Sequence, residues 1–118
     1  MFGFLKRWRG AAAVQLLPIE LPLENIQTID RFGIEYIDNN RNSAKINYCD
    51  AYKGWCENKG IKKSNPAYIC DRTKAEGWKM IFHTNPKIIF IADEGQKDLW
   101  IDVLNRIRLQ GYHSFDFD

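Results

Sequence analysis

The feature that most constrains the fold is a block near the C-terminus in which two strand patterns come directly before a helix pattern. Apolar and polar residues alternate in Trp78–His83 (WKMIFH) and again in Lys87–Ala92 (KIIFIA). Thr84, Asn85 and Pro86, which are common in turns, separate the two runs. Period-two alternation on both sides of a short turn predicts an antiparallel β-hairpin.

The segment after this hairpin has the apolar spacing of an α-helix that covers one face of a sheet. Asp93 is placed to cap the helix, and Gln96 stands three residues later, as in a capping box. The apolar residues that share one face at a period of 3.6 are Leu99, Trp100, Val103, Leu104 and Ile107. The sequence therefore predicts a helix over Asp93–Gln110, with Trp100 as a core residue.

The rest of the chain contains weaker patterns. Phe32–Ile37 and Ala44–Tyr48 predict a second hairpin across a polar turn, and Pro66–Asp71 predicts one further short strand. Val14–Leu23 contains two prolines, which confine it to an edge strand or an irregular extended segment. The polar segment Gly54–Asn65 is predicted to be a long surface loop.

These patterns predict an α+β fold that is mainly β. We expect a small antiparallel barrel or sandwich of about seven strands, capped by the C-terminal helix. At 118 residues the chain has room for a single domain over 1–118. Residues 1–23 form either a first pair of strands or an appended arm, and residues 111–118 form a short tail.

Composition and cysteine usage indicate a cytoplasmic protein. The three cysteines, Cys49, Cys56 and Cys70, are an odd number with no pairing framework, as expected in a reducing compartment. The apolar run Ala11–Leu17 is much shorter than the ~20 residues of a membrane-spanning helix, and Pro18 ends it. We therefore expect no transmembrane segment and leave peripheral membrane attachment open.

Neither catalysis nor a bound cofactor is indicated by the motifs. The cysteines and His83 lack the compact ligand pairs of zinc modules, so no metal is predicted. His83 and His113 are the only histidines, and no nucleophile elbow, phosphate loop or paired-carboxylate motif is present. The sequence predicts a non-catalytic protein with no cofactor.

Residues 78–108 together resemble the end of a pleckstrin homology domain. In that family two antiparallel strands, the second ending in Ala and an acidic residue, lead into a C-terminal helix with a nearly invariant Trp. Ile91-Ala92-Asp93-Glu94 matches the strand end, and Trp100 with Leu104 matches the helix. More weakly, Gly3–Trp8 resembles the family's first strand. The resemblance implies a bent antiparallel barrel that binds ligands through loops at its open end.

The resemblance also implies a site for anionic phospholipid headgroups or for a protein partner. The candidate residues are Lys6, Arg7 and Arg9, with Arg41 and Lys45 as neighbours. Members that bind phosphoinositides usually carry a second basic motif after the first strand. No basic residue occurs here between Arg9 and Arg31, which leaves both ligands open.

Two alternatives use the same fold without a lipid ligand. The first is a protein-interaction adaptor or inhibitor. The second is a single-stranded nucleic-acid binder that stacks bases on Trp8, Tyr52 and Trp55 beside Lys53. The net charge of +2 is too small to imply a nucleic-acid partner by itself.

Overall fold

The computed structural model describes residues 14–61 and 68–116, and within them the chain forms eight strands and two α-helices. The strands are β1 (Ile19–Pro22), β2 (Ile26–Ile29), β3 (Gly33–Ile37), β4 (Ser43–Asn47), β5 (Tyr68–Thr73), β6 (Lys79–Phe82), β7 (Ile88–Ile91) and β8 (His113–Asp116). The helices are α1 (Tyr48–Lys59) and α2 (Lys97–Arg108), and short 3₁₀ turns occupy Leu23–Asn25 and Glu94–Gln96. The predicted α+β, mainly β class with a C-terminal helix is confirmed.

The strands form two sheets that remain open. A five-stranded sheet has the order β1-β7-β6-β5-β8, and a three-stranded sheet has the order β2-β3-β4. The predicted antiparallel pairing is confirmed for four of the six strand pairs in the described part of the chain, whereas β1 pairs with β7 and β5 pairs with β8 in parallel. A sandwich describes the two sheets, whereas a closed barrel does not.

Both predicted hairpins are confirmed. Strands β6 and β7 are antiparallel with Met80 opposite Phe90, and β3 and β4 are antiparallel with Ile34 opposite Ile46. In both hairpins the apolar partners alternate with more exposed residues, so one face of each sheet can be buried. The register of each hairpin therefore follows from its hydrophobic pattern.

Aromatic side chains fill the core where the sheets and α2 meet. The ring of Tyr36 in the small sheet meets the ring of Phe90 in the large sheet edge-on, with 5.5 Å between centroids. Trp100 of α2 is 1% exposed and makes a similar edge contact at 5.5 Å with Trp78. The prediction of Trp100 as a core residue is confirmed, and the capping box of Asp93 and Gln96 is present.

Helix α1 was not predicted. Asn47, expected within a strand, caps the helix, since its Oδ1 accepts from the backbone N–H of Cys49 at 2.8 Å and of Asp50 at 3.3 Å. Gly60, at φ 69°, provides the left-handed residue that ends the helix. The buried face consists of Tyr48, Ala51, Tyr52, Trp55 and Cys56. The predicted loop over Gly54–Asn65 is therefore wrong up to Lys59.

The two ends of the described chain are part of the sheets. Strand β1 lies within the region predicted as 1–23, and it forms an edge of the large sheet, where a strand that contains a proline is expected. Leu21 and Leu23 are fully buried there. The predicted tail 111–118 contains β8, which pairs with β5. The predicted strand Gly3–Trp8 lies outside the described residues.

Candidate functional site

A groove runs between strand β4, helix α1 and the turn that joins β6 to β7. It encloses about 620 Å³, which is within the ~300–1,000 Å³ range of typical ligand sites. We call it the β4 groove. It is lined by Lys45, Ile46 and Asn47 from β4, by four residues of one face of α1, and by His83–Pro86 from the turn.

The β4 groove follows the edge of β4. Lys45 and Ile46 both line the groove, although adjacent residues of a strand point to opposite faces of the sheet. Lys45 is exposed and Ile46 is 2% exposed, as expected for opposite faces. A groove that touches both residues must run along the side of the strand. Strand β4 is at the end of its sheet, so this side has no paired strand within the described residues.

The hydrogen-bond pattern shows which backbone groups of β4 face the groove. Tyr48 N–H donates to Phe32 C=O at 3.1 Å, and Asp38 N–H donates to Asn42 C=O at 2.9 Å. These bonds lie at the two ends of one continuous register. Because hydrogen-bonded pairs alternate in an antiparallel ladder, Ala44 and Ile46 are the β4 residues that bond to β3.

The intervening residues of β4 therefore present their backbone to the other side. The N–H and C=O groups of Ser43 and Lys45 point away from β3. At Lys45 this edge forms part of the groove wall. An unpaired strand edge is a template for an added strand from another chain.

The groove has an apolar floor and a rim of mixed charge. Ile19, Tyr36, Ile46 and Ile88 supply the apolar floor. The charged groups around it are Lys45, Asp50, Lys53 and Glu57, all exposed. Two cations and two carboxylates give no net positive field, so the groove suits a polypeptide with mixed polarity better than a polyanion.

Helix α1 forms one wall because it approaches the β6–β7 turn closely. An ideal Cβ on Gly54 would lie 1.6 Å from the carbonyl oxygen of His83, so any side chain at this position would collide with the turn. At the far end of the turn, Asn85 accepts from Leu16 N–H at 2.9 Å and donates to Val14 C=O at 3.2 Å. The turn is thus fixed from both sides.

A buried carboxylate links α1 to this turn. The Oδ1 atom of Asp71 accepts from Trp55 Nε1 at 2.9 Å, and its Oδ2 atom lies 2.6 Å from His83 Nε2. Lys59 Nζ lies 3.4 Å from the same Oδ2. Burial would raise the pKa of Asp71, but the bonds from His83 and Trp55 and the charge of Lys59 hold it below its ordinary value. The ionised carboxylate therefore stabilises the groove wall.

The predicted site residues are only partly brought together. Lys45 lines the β4 groove, and Arg41 lies in the β3–β4 turn at φ 65°, exposed to solvent. Lys6, Arg7 and Arg9 lie outside the described residues, so the lipid site on them stays a prediction. Arg41 is not among the residues that line the groove.

Two of the three stacking residues of the nucleic-acid alternative are buried. Tyr52 is 3% and Trp55 4% exposed, because both lie on the buried face of α1. Their proposed use as base-stacking platforms was wrong, and the third platform, Trp8, lies outside the described residues. Lys53, on the adjacent face of α1, lines the β4 groove.

The cysteines are dispersed rather than clustered. Cys49 is exposed, and Cys56 and Cys70 are buried. Burial, helped by the neighbouring Asp71, raises the pKa of Cys70 to about 12, so its thiol stays protonated. Within residues 14–61 and 68–116, no three His, Cys, Asp or Glu side chains come together as a metal site.

Sequence reasoning missed the cluster around Asp71. One signal was present, since Asp71 directly follows the apolar Ile69 and Cys70 in β5, and a buried carboxylate requires hydrogen-bonding partners. The partners themselves could not be predicted from the sequence, because Trp55 and His83 come from other elements, 16 and 12 residues away along the chain.

Comparison with known proteins finds no relative of this chain. The chain matches no protein-family model, no curated protein and no solved structure. Neither α1 nor α2, each of 12 residues, is long and apolar enough to cross a membrane, and they are the only α-helices of the described part.

Proposed function

We propose that this chain is a non-catalytic binding module that recognises a protein partner by accepting an extended segment of it in the β4 groove. The segment adds a strand beside β4, and its side chains contact the apolar floor. The observation that carries the proposal is the edge of β4, whose Lys45 backbone faces a groove large enough for a polypeptide.

Backbone hydrogen bonds and side-chain contacts make different contributions to recognition. Main-chain hydrogen bonds at Lys45 supply affinity that does not depend on the partner's sequence. Specificity comes from Ile19, the half-buried residue of the floor, and from the charges on α1 at the rim. Of the two ligands predicted from the sequence, the mixed charge of this groove favours a protein over an anionic headgroup.

Random linear peptides displayed on phage provide the test. We expect the immobilised full-length chain to enrich a family of peptides, whose affinity is then measured by calorimetry. Lys45→Pro removes the N–H that faces the groove and should weaken binding about five- to tenfold, the value of one well-made hydrogen bond.

Lys45→Ala is the matched control, because it removes the same charge and keeps the N–H. It should weaken binding by no more than about threefold, as for an exposed charge. Failure to enrich any peptide would contradict the proposal. Equal affinity of the enriched peptide for Lys45→Pro and the unaltered chain would also contradict it.

A further inference from the structure

A second concave site lies between α2 and the β5–β6 connection and has a different character. It encloses about 170 Å³ and shares no lining residue with the β4 groove. Arg72, Lys74 and Trp78 line it from the sheet side, and Lys97, Ile101 and Arg108 line it from the helix. We call it the α2 hollow. None of its described lining residues is acidic.

The spacing of charges along α2 separates cations from carboxylates. Lys97, Ile101 and Arg108 fall on one stripe of the helix at intervals of four and seven residues, and this stripe lines the hollow. Asp102 lies off the stripe and pairs with Arg106 at 3.7 Å. Neither Lys97 nor Arg108 has an ion-pair partner in the part of the chain that the structure describes. Their charges are therefore available to an anion.

The floor of the α2 hollow consists of two tryptophans. Trp78 and Trp100 meet edge-on at 5.5 Å, and Lys74 Nζ lies 5.5 Å from the centroid of the Trp78 ring. Trp100 Nε1 is buried and has no hydrogen-bond acceptor among the described residues. A buried donor without an acceptor is uncommon, and the indole N–H of a residue that lines the hollow is a local reporter of binding there.

Backbone strain occurs at the same place. Trp78 has φ 56°, a left-handed conformation that a bulky residue rarely adopts. Gly77 precedes it at φ 99°, and together they direct the chain into β6 beside the hollow. Strained residues of this kind concentrate at functional sites, where the surrounding structure holds them in place.

We infer that the α2 hollow binds a phosphate monoester with a small organic body. Arginine and lysine are the side chains that bind phosphate oxygens best, and Lys97 and Arg108 offer both types from α2 to this hollow. At 170 Å³ it is smaller than the ~300 Å³ lower end of drug-sized sites, so it fits a group the size of a headgroup. A soluble phosphate ester and a phosphomonoester lipid headgroup present the same chemistry.

Phenyl phosphate is the probe, and two arginines of α2 form the matched pair of variants. We expect phenyl phosphate at low ionic strength to bind the full-length chain and to shift the Trp100 indole N–H resonance, assigned with Trp100→Phe. Arg108→Ala should weaken binding about tenfold or more, because it removes a charged hydrogen-bond donor from the hollow. Arg106→Ala removes the same charge from the opposite face of α2 and should leave binding unchanged.

Every outcome of these experiments either supports the inference or overturns it. Absence of binding at low salt would overturn it, as would an equal loss in Arg106→Ala and Arg108→Ala, which would indicate net charge alone. Sedimentation with phosphatidylcholine vesicles, with and without phosphatidic acid, distinguishes the sources. Arg108-dependent sedimentation with phosphatidic acid supports a lipid headgroup, whereas phenyl phosphate binding without sedimentation supports a soluble ester. Lys45→Pro should bind phenyl phosphate normally, because Lys45 does not line the α2 hollow. The two proposals can therefore fail independently of each other.

Discussion

Asp71 is the residue at which three elements of the fold are joined by polar contacts. Its carboxylate receives Trp55 and Lys59 from α1 and His83 from the end of β6. Its side chain is 5% exposed, so ionisation there depends on these partners. Removal of the carboxylate or of one of its partners leaves an uncompensated charge or an unpaired donor in the interior. This lowers the free energy of unfolding more than the loss of a surface contact does.

Asp71→Ala should lower the free energy of unfolding by about 3–5 kcal/mol at neutral pH, measured by urea denaturation. The exposed pair on α2 provides the control, since Asp102→Ala should cost no more than about 0.5 kcal/mol. A cost for Asp71→Ala as small as that of Asp102→Ala would show that the buried cluster does not hold α1.

The same carboxylate predicts a direction for the pH dependence. Its folded pKa is below the ordinary value of 3.8, so the unfolded chain binds a proton first as the pH falls. The stability from Asp71 is present above pH 3.8 and is lost as the pH falls through the folded pKa. We expect Asp71→Asn to reduce this loss, seen as a smaller drop in melting temperature on acidification. An unchanged drop in the melting temperature of Asp71→Asn would contradict the lowered pKa of Asp71.

Gly54 should tolerate alanine poorly, although alanine normally stabilises a helix. Relief of backbone entropy favours Gly→Ala by about 1 kcal/mol, but the new Cβ would overlap the His83 carbonyl oxygen. We expect Gly54→Ala to destabilise the chain by about 1–3 kcal/mol in thermal unfolding. Gly95→Ala meets no atom within 4 Å and should be close to neutral. Equal effects of the two substitutions would contradict the close approach of α1.

At the scale of elements, local patterns predicted the hairpins and α2 but not α1. The apolar residues Tyr48, Ala51 and Trp55 are spaced for a helix, yet Tyr48 also continues the alternation of β4. Gly54 and the polar outer face further reduced the helical signal. The cap formed by Asn47 decides between the two patterns, and it depends on a hydrogen bond that composition does not show.

Alternate residues of β4 donate hydrogen bonds to β3, so proline should reduce stability by different amounts at neighbouring positions. Ala44 donates to β3, so Ala44→Pro leaves a carbonyl of β3 unpaired and should cost about 1–3 kcal/mol. Lys45 faces the groove, so Lys45→Pro should cost less in the same urea titration. Equal losses of stability, or the reverse order, would contradict the assignment of Lys45 to the free edge.

For the whole molecule, the pairings that the sequence did not reveal are those between distant segments. Ile19 pairs with Ile88 and Tyr68 with His113 in parallel, and parallel partners share no turn from which register can be read. Only the assembled fold brings Lys45 and the β6–β7 turn together around the β4 groove. The groove is therefore a property of tertiary structure, whereas the sequence predicted Lys45 only as a neighbour of an anion site.

Strand β8 should protect the edge of β5. Deletion of residues 111–118 removes the pairing of β8 and exposes a strand edge, which promotes self-association. Relative to the full chain, we expect a lower melting temperature and a larger mass by light scattering. An unchanged mass and melting temperature would show that β8 contributes little.

Amide hydrogen exchange along β4 tests the proposed partner site most directly. In the free chain the amide of Lys45 should exchange faster than those of Ala44 and Ile46, because only the last two donate to β3. Addition of a peptide enriched on the full-length chain should slow exchange at Lys45 specifically. A Lys45 amide that is already protected in the free chain, or that stays unprotected when the peptide is bound, would contradict strand addition at β4.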